Sequence, residues 1–234
     1  MTLSSTIRVL ASGAAVVALV GVLSVSAAAV PPPKYSALAW IFVGAAGDCF
    51  SSPAGNKIVT STWLNGIGLP DDGTANPSGG TTHQGLLLNK NGPTPNCSAA
   101  GASIMGWTSG GTLNALGFDY RLGGHCGAGA PRFNVVDIAS NTYFFGCASG
   151  TSSAAPQDPA NWTRVTFNAA GGPYPGAESF VFGVTQVASI DIVFDEGTDT
   201  PTADAPMGVG LATLDNIRIN NTLITKKAGN PILP

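Results

Sequence analysis

Short hydrophobic runs that alternate with polar residues recur along the chain, and clusters of Gly, Pro and Asn separate them. Alternation with a period of two is typical of strands that bury one face. Outside the N-terminal segment, no helical period continues beyond about ten residues. The pattern predicts strands at residues 39–43, 57–63, 85–88, 102–107, 113–121, 132–138, 142–147, 163–167, 179–184, 189–194 and 211–219.

Many short strands at this spacing predict an all-β fold, and more narrowly a jelly-roll-like antiparallel β-sandwich with long loops. The composition agrees, because 31 Gly and 17 Pro suit many turns, while only 10% charged residues leave few for exposed helix faces. The longest predicted loops cover residues 66–85 and 148–160. Long ordered loops in a sandwich often carry function or cover a sheet edge.

The N-terminal segment has the pattern of an export signal. Arg8 precedes an apolar run over residues 9–23, and small residues follow at 27–29. This order is typical of a cleaved secretory signal peptide, and a retained N-terminal membrane anchor is the alternative. We therefore predict a secreted, extracellular protein with a signal peptide over 1–29, a Pro-rich linker over 30–37 and a single β-sandwich domain over 38–234.

All four cysteines, Cys49, Cys97, Cys126 and Cys147, follow the predicted signal peptide. An even number of cysteines in an exported chain predicts two disulfides. Zinc is disfavoured, because the chain has no Cys-x-x-Cys pair and only two histidines.

The central strands suggest how these cysteines pair. If the segments 113–121, 132–138 and 142–147 form a meander, Cys147 ends beside the loop that carries Cys126. The remaining pair is then Cys49 with Cys97. In the chain-entropy account, a disulfide that closes a loop of about twenty residues stabilises the fold by roughly 3 kcal/mol.

Asp119, Arg121, Arg132 and Asn134 would share one outer face if the two strands that carry them pair. Arg and Asp side chains there could hold a sugar hydroxyl or a carboxylate, and a surface ion pair is the structural alternative. Trp63 leads into the longest loop, so we expect it to be the most exposed tryptophan and a platform for a sugar ring. Core packing is the alternative for each tryptophan.

Acidic residues cluster after the strand predicted at 189–194. Asp195, Glu196 and Asp199 lie in or beside one loop, and calcium accepts six to eight oxygens in irregular geometry. Asp215 shares strand parity with the inward-facing Ile217, so it needs hydrogen-bond partners or a cation. We predict structural Ca²⁺ at Asp195, Glu196, Asp199 and Asp215 and no other cofactor. The alternative is loop acids held by turns and backbone N–H groups.

Sequence patterns for a catalytic site are weaker than those for a binding or calcium site. A glycosidase needs two carboxyl groups about 5 to 9 Å apart, whereas the adjacent Asp195 and Glu196 point to opposite faces in an extended chain. Cys126 follows His125, but a disulfide removes the thiol that a nucleophile needs, and we expect His125 to be exposed in its loop. No catalytic residue is predicted.

Charge argues against two classes of partner. The net charge is −3, with no basic patch for nucleic acid and no basic amphipathic helix for a membrane surface. Once the signal is cleaved, no membrane insertion is expected.

The segments FDYRLGGHCGAGAPRFNV and IVFDEGTDT, together with LDNI in the last long strand, resemble a set of uncharacterised secreted bacterial proteins. LDNI is also similar to the last strand of jelly-roll modules, the concanavalin-like and galactose-binding-like sandwiches. This resemblance implies a β-sandwich, and carbohydrate binding and structural calcium are common in such modules. We therefore predict a secreted non-catalytic module that binds carbohydrate or cell-envelope glycan. The alternatives are a structural or adhesive surface protein that binds another protein, and an aspartate-based polysaccharide hydrolase.

Overall fold

The computed structural model describes residues 35–49, 59–70 and 83–225, which fold into two antiparallel β-sheets. The predictions for residues 1–34, which concern the signal peptide and most of the linker, lie outside the described residues. The elements are β1 (Ser36–Val43), β2 (Val59–Leu64), β3 (Gly85–Lys90), β4 (Ser98–Met105), β5 (Gly111–Thr112), β6 (Ala115–Arg121), β7 (Arg132–Asp137), β8 (Thr142–Gly146), a 3-10 helix (Cys147–Ser149), β9 (Thr151–Ala154), β10 (Trp162–Asn168), β11 (Gln186–Phe194), β12 (Leu211–Ile219) and β13 (Thr222–Ile224).

The predicted all-β, jelly-roll-like sandwich is confirmed. Sheet 1 has the strand order β1-β4-β11-β7-β8, with β5 paired to β11. Sheet 2 has the order β2-β3-β12-β6-β10-β9, with β13 paired to β12. Most neighbouring strands are distant in sequence, although four pairs are consecutive in the chain: β2 with β3, β7 with β8, β9 with β10, and β12 with β13. The sandwich therefore depends mainly on non-local strand pairing.

The core lies between the sheets and follows the alternation in the sequence. Phe118 of sheet 2 and Phe133 of sheet 1 have ring centroids 5.5 Å apart, and Phe133 also meets Phe167 edge to face at 6.2 Å. Ile190 and Ile192 are almost completely buried in the same cluster. Alternate residues of these strands therefore point away from the core, toward the two outer faces of the sandwich.

The predicted meander is correct in its second half only. β7 and β8 form an antiparallel hairpin, whereas β6 pairs with β10 and β12, and β7 pairs with β11. The loop between β6 and β7 crosses from sheet 2 to sheet 1 and buries His125 completely. The expectation that His125 is exposed is therefore wrong, because its ring fills space beside Phe194, with centroids 5.5 Å apart.

Residues 179–184, predicted as a strand, form turns instead. Phe180 and Phe182 alternate as in a strand, but their rings pack on each other at 5.1 Å and close one end of the core. Gly183 adopts a φ of 78°, which interrupts an extended conformation. Conversely, the loop predicted at 148–160 contains β9 and part of the 3-10 helix.

β12 has the predicted bounds but contains a bulge. Asn216 has a φ of 45°, and the register with β6 shifts between Asp215 and Arg218. Asp215 consequently lies opposite Asp119, away from the core, although Ile217 is a core residue. The predicted common face of Asp215 and Ile217 is wrong, because the bulge changes the side-chain parity.

Both predicted disulfides are confirmed: Cys49 is bonded to Cys97, and Cys126 to Cys147. They are consistent with an extracellular protein. Across the described residues, no helix has the length and apolar character that a membrane span requires.

Candidate functional site

The two outer faces of the sandwich differ in how far other residues pack over them. Over sheet 2, Leu69, Ala155 and Trp162 form a second small buried cluster. On the outer face of sheet 1, Phe42 and Phe144 keep 46% and 40% of their surface exposed. These exposed aromatic residues make the outer face of sheet 1 a candidate binding surface.

Cross-strand register arranges the outer face of sheet 1 in rows. Neighbouring strands lie about 4.8 Å apart, so a row that crosses from β1 to β8 spans about 19 Å. One row contains Leu38, Ser103, Asp191, Asn134 and Phe144, and the next contains Trp40, Gly101, Val193, Arg132 and Gly146. We call these two rows, with the neighbouring pair Phe42 and Ala99, the open face.

Trp40 lies against the sheet at a glycine. A Cβ atom on Gly101, the cross-strand partner of Trp40, would come within 2.2 Å of Trp40 Cζ2. Gly101 therefore allows the indole to pack against the backbone of β4. Trp40 is partly buried as a result, and its indole gives the β1 edge of the open face a flat aromatic surface.

Arg132 is fixed at the centre of the open face. Its guanidinium makes a bidentate ion pair with Asp195, with N···O distances of 2.6 and 2.8 Å. It also donates to Asn134 Oδ1 at 2.8 Å and to the carbonyl of Gly129 at 2.5 Å. The charged group lies 5.3 Å from the ring centroid of Phe144, within range of a cation–π contact. Arg132 therefore holds acidic, amide and aromatic neighbours in one arrangement.

Two further polar side chains cross the centre of the open face. Ser103 Oγ donates to Asp191 Oδ1 at 2.5 Å, and Asp191 lies directly opposite Asn134 in the sheet. The Asn134 amide nitrogen and Asp191 Oδ2 form no hydrogen bond with the described residues. The face thus offers both a donor and an acceptor beside the fixed guanidinium.

The predicted set of Asp119, Arg121, Arg132 and Asn134 is divided between the two faces. Its first two members belong to β6 of sheet 2, and its last two to β7 of sheet 1. Asp119 is completely buried and makes a bidentate pair with Arg164, at 2.8 and 2.9 Å. The sequence identified Arg132 and Asn134 as neighbours on the open face, but assigned them partners from the opposite side of the molecule.

Trp63 is a core residue. It is only 9% exposed, and its indole N–H donates to the carbonyl of Ala37 at 2.9 Å. The expectation that it is the most exposed tryptophan is wrong, because β2 packs beside β1 where the two sheets meet. Trp40, on the outer side of β1, and Trp107 are both partly buried and are therefore more accessible than Trp63.

The four acids predicted to hold calcium have separate partners. Asp195 pairs with Arg132, and Glu196 Oε2 lies 2.7 Å from His125 Nε2. Asp199 Oδ1 accepts from the backbone N–H and the hydroxyl of Thr94 at 2.7 and 2.8 Å. Asp215 Oδ2 accepts from the backbone N–H of Leu69 at 2.6 Å, on the other sheet. Among the described residues, no group of three or more acidic, His or Cys side chains is placed to hold a metal.

A lysine ammonium lies among the carbonyl oxygens of this acidic region. Lys90 is 1% exposed, and its Nζ donates to the carbonyls of Thr94, Asn96 and Asp195 at 2.8, 3.1 and 2.6 Å. Burial lowers the pKa of Lys90, and the charges of Asp195 and Asp199 partly oppose this effect. The three N–H bonds of the ammonium are thus all used within the protein.

The Gly-rich loop before β7 leaves room for the side chain of Glu196. A Cβ on Gly127 would lie 2.3 Å from Glu196 Oε2, and a Cβ on Gly129 would lie 2.4 Å from Oε1. The loop therefore closes around the carboxylate and holds it against the buried His125. The adjacent Cys126 is oxidised in its disulfide, so a thiol nucleophile is not present there.

Asp119 and Asp215 form a buried polar cluster on sheet 2. Asn216 Nδ2 donates to Asp119 Oδ2 at 2.7 Å, and the backbone N–H of Asn216 donates to Asp215 Oδ1 at 2.6 Å. Both carboxylates are completely buried. Their partners and their cover by Leu69 suit a structural network that anchors the loop over sheet 2.

No family model, curated protein or solved structure matches the chain.

Sequence reasoning missed Trp40, Phe42, Asp191 and Phe144 as members of one surface. The alternation in each strand already placed Asp191 away from Ile190, and Phe144 away from Phe145. It could not show that β1, β4, β11, β7 and β8 are neighbours, because this order depends on pairing between distant segments.

Proposed function

We propose that this chain works outside the cell as a non-catalytic glycan-binding module, and that the glycan lies across the open face of sheet 1. The observation that carries the proposal is the arrangement of that face. Aromatic side chains lie at both edges, and fixed polar groups lie between them. Sugars present both C–H-rich ring faces and hydroxyl groups, so they match such a surface.

The aromatic edges supply stacking surfaces. Trp40 and Phe42 belong to β1, and Phe144 belongs to β8, about 19 Å away across the sheet. This separation suits an extended oligosaccharide better than a single sugar ring. The long spacing therefore favours a glycan chain as the ligand.

The polar centre supplies hydrogen bonds at low entropic cost. Arg132 uses four of its five N–H donors within the protein, which fixes its orientation and leaves one for a hydroxyl. Asn134 adds an amide donor and Asp191 a carboxylate acceptor. Groups already held in place lose little conformational freedom when a ligand binds.

Binding is favoured over hydrolysis by the partners of the acidic residues. A glycosidase needs one carboxylic acid and one free carboxylate on either side of the bond that breaks. On the open face, Asp195 is held in a bidentate pair with Arg132, and Asp191 accepts from Ser103. These roles suit positioning and recognition.

The proposal is tested by screening labelled wild type and Trp40→Ala on an array of plant and bacterial oligosaccharides. We expect the wild type to bind, and Trp40→Ala to bind about tenfold more weakly through loss of about 1.4 kcal/mol of stacking. Leu223→Ala, a matched change of an exposed residue on sheet 2, should bind as the wild type does. An array on which the wild type binds nothing, or on which both variants behave alike, would contradict the proposal.

A further inference from the structure

A cavity of about 400 Å³ opens at the Phe42 end of the open face. Phe42 and Ala99 belong to both the face and the cavity, and Asp195 joins the cavity to Arg132. Among the described residues, the cavity is also lined by Cys49, Lys90, Thr94, Asn96, Ser98, Gly129 and Glu196. A volume of this size is in the range of pockets that bind small molecules.

The cavity has an unusual set of hydrogen-bonding groups. Lys90 offers no donor, because its ammonium is saturated by three carbonyls. Asn96 is 8% exposed, and its Oδ1 accepts from Ser98 Oγ at 2.5 Å. Its amide nitrogen forms no hydrogen bond with the described residues, so it can donate to a ligand group in the cavity. The cavity therefore presents an amide donor together with the carboxylate oxygens of Asp195 and Glu196.

Apolar groups form the rest of the wall. The Phe42 ring, the Cys49 end of the disulfide and the Ala99 methyl group line the same space. A ligand group that fits must thus combine an acceptor for Asn96, a donor for a carboxylate and a small apolar part. Burial of a methyl group against such a wall is favourable because it removes apolar surface from water.

We infer that this cavity takes the acetamido group of an N-acetylated sugar at one end of the bound glycan. The inference rests on the proposed function and names its substrate class. The acetamido carbonyl accepts from Asn96 Nδ2, its N–H donates to a carboxylate, and its methyl group packs on Phe42 and Ala99. The free ammonium of a de-acetylated amino sugar fits less well for two reasons. Lys90 and Arg132 already compensate the charges of the nearby carboxylates. The amide nitrogen of Asn96 and the ammonium are both donors, so they cannot hydrogen-bond to each other.

Three β-linked hexasaccharides test the inference by isothermal titration calorimetry, since they differ only in one ring substituent. They are the homopolymers of glucose, glucosamine and N-acetylglucosamine. We expect the acetylated hexamer to bind the wild type at least about tenfold more tightly than the other two, which corresponds to one matched hydrogen bond. Equal affinities, or a preference for the glucosamine hexamer, would overturn the inference.

Two variants test whether this cavity causes the preference for the acetylated hexamer. Asn96→Asp keeps the shape and the acceptor for Ser98 but removes the donor, so the ratio of the affinities for the acetylated and the glucose hexamer should fall below about threefold. Ala99→Leu adds bulk beside Phe42, where the acetamido methyl group would pack, and should reduce the same preference without touching Asn96. A preference that survives both variants would contradict the inference.

The two proposals fail in different ways. If all three hexamers bind equally and Trp40→Ala weakens each of them, the glycan-binding face stands and the acetamido cavity is wrong. If none of the hexamers binds and the array is also empty, the proposed function fails and the cavity assignment fails with it.

Discussion

Lys90 combines a charged side chain with almost complete burial, and its ammonium contacts three backbone carbonyls. These carbonyls belong to the segments before β4 and after β11, so one side chain connects two loops. Calcium was predicted here because the loop after β11 is acidic. The prediction considered only acidic residues near in sequence, whereas Lys90 comes from a strand of the other sheet.

Replacement of Lys90 by Met should destabilise the fold by about 3 kcal/mol, because it leaves three buried carbonyls without a donor and removes a cation near Asp195 and Asp199. Urea unfolding, followed by tryptophan fluorescence, measures the free energy of unfolding. A variant as stable as the wild type would show that the ammonium does not hold the two loops.

A calcium test on the wild type distinguishes the lysine ammonium from a bound metal as the cation of the acidic region. If the ammonium of Lys90 is the cation of the acidic region, the melting temperature should be the same with millimolar calcium and with excess chelator. A melting temperature that rises on addition of calcium would instead support the predicted metal site at Asp195, Glu196 and Asp199.

At the scale of single elements, the hairpin of β7 and β8 depends on Asp137. Its carboxylate accepts from the N–H groups of Ala139 and Asn141 at 2.8 Å, from Asn141 Nδ2 at 2.9 Å and from the Tyr143 hydroxyl at 3.0 Å. These hydrogen bonds, with the Asn141 side chain foremost, lower the pKa of Asp137. The carboxylate therefore closes the turn that positions Asn134 and Phe144 opposite each other.

The lowered pKa gives a prediction with a definite sign. A carboxyl group with a lower pKa in the folded state stabilises the protein above its unfolded pKa of about 3.9, and this contribution is lost as the pH falls through the folded pKa. Asp137→Asn should therefore melt several degrees below the wild type at neutral pH, and the difference should shrink below about pH 4. Melting curves from pH 2 to pH 8 measure it, and a difference that is independent of pH would contradict the assignment.

Periodicity predicted most strands, and it failed where backbone conformation or aromatic packing intervened. β12 was predicted with its observed bounds, but its bulge at Asn216 leaves no mark in the alternation and moves Asp215 to the other face. The segment around Phe180 and Phe182 reads as a strand, although its rings cap the core from a series of turns. In both places, tertiary contacts override a local pattern.

At the scale of the whole molecule, the sequence predicted the class of fold and both disulfides, but not the order of the strands. Asp119 and Arg132 are close in sequence and lie on opposite outer faces, because the loop between β6 and β7 crosses the sandwich. Trp40 and Phe144 are distant in sequence and lie on one face. A surface built from five strands could not be read from any one segment.

The central claim is that the open face of sheet 1 holds the ligand. The most direct measurement is a two-dimensional amide NMR titration of the protein with whichever of the glucose and N-acetylglucosamine hexamers binds more tightly. The account predicts chemical-shift changes concentrated at Trp40, Gly101, Arg132 and Asn134, with none on the outer side of sheet 2 at Arg164. Changes confined to sheet 2 or to its loops, with the open face unaffected, would contradict it.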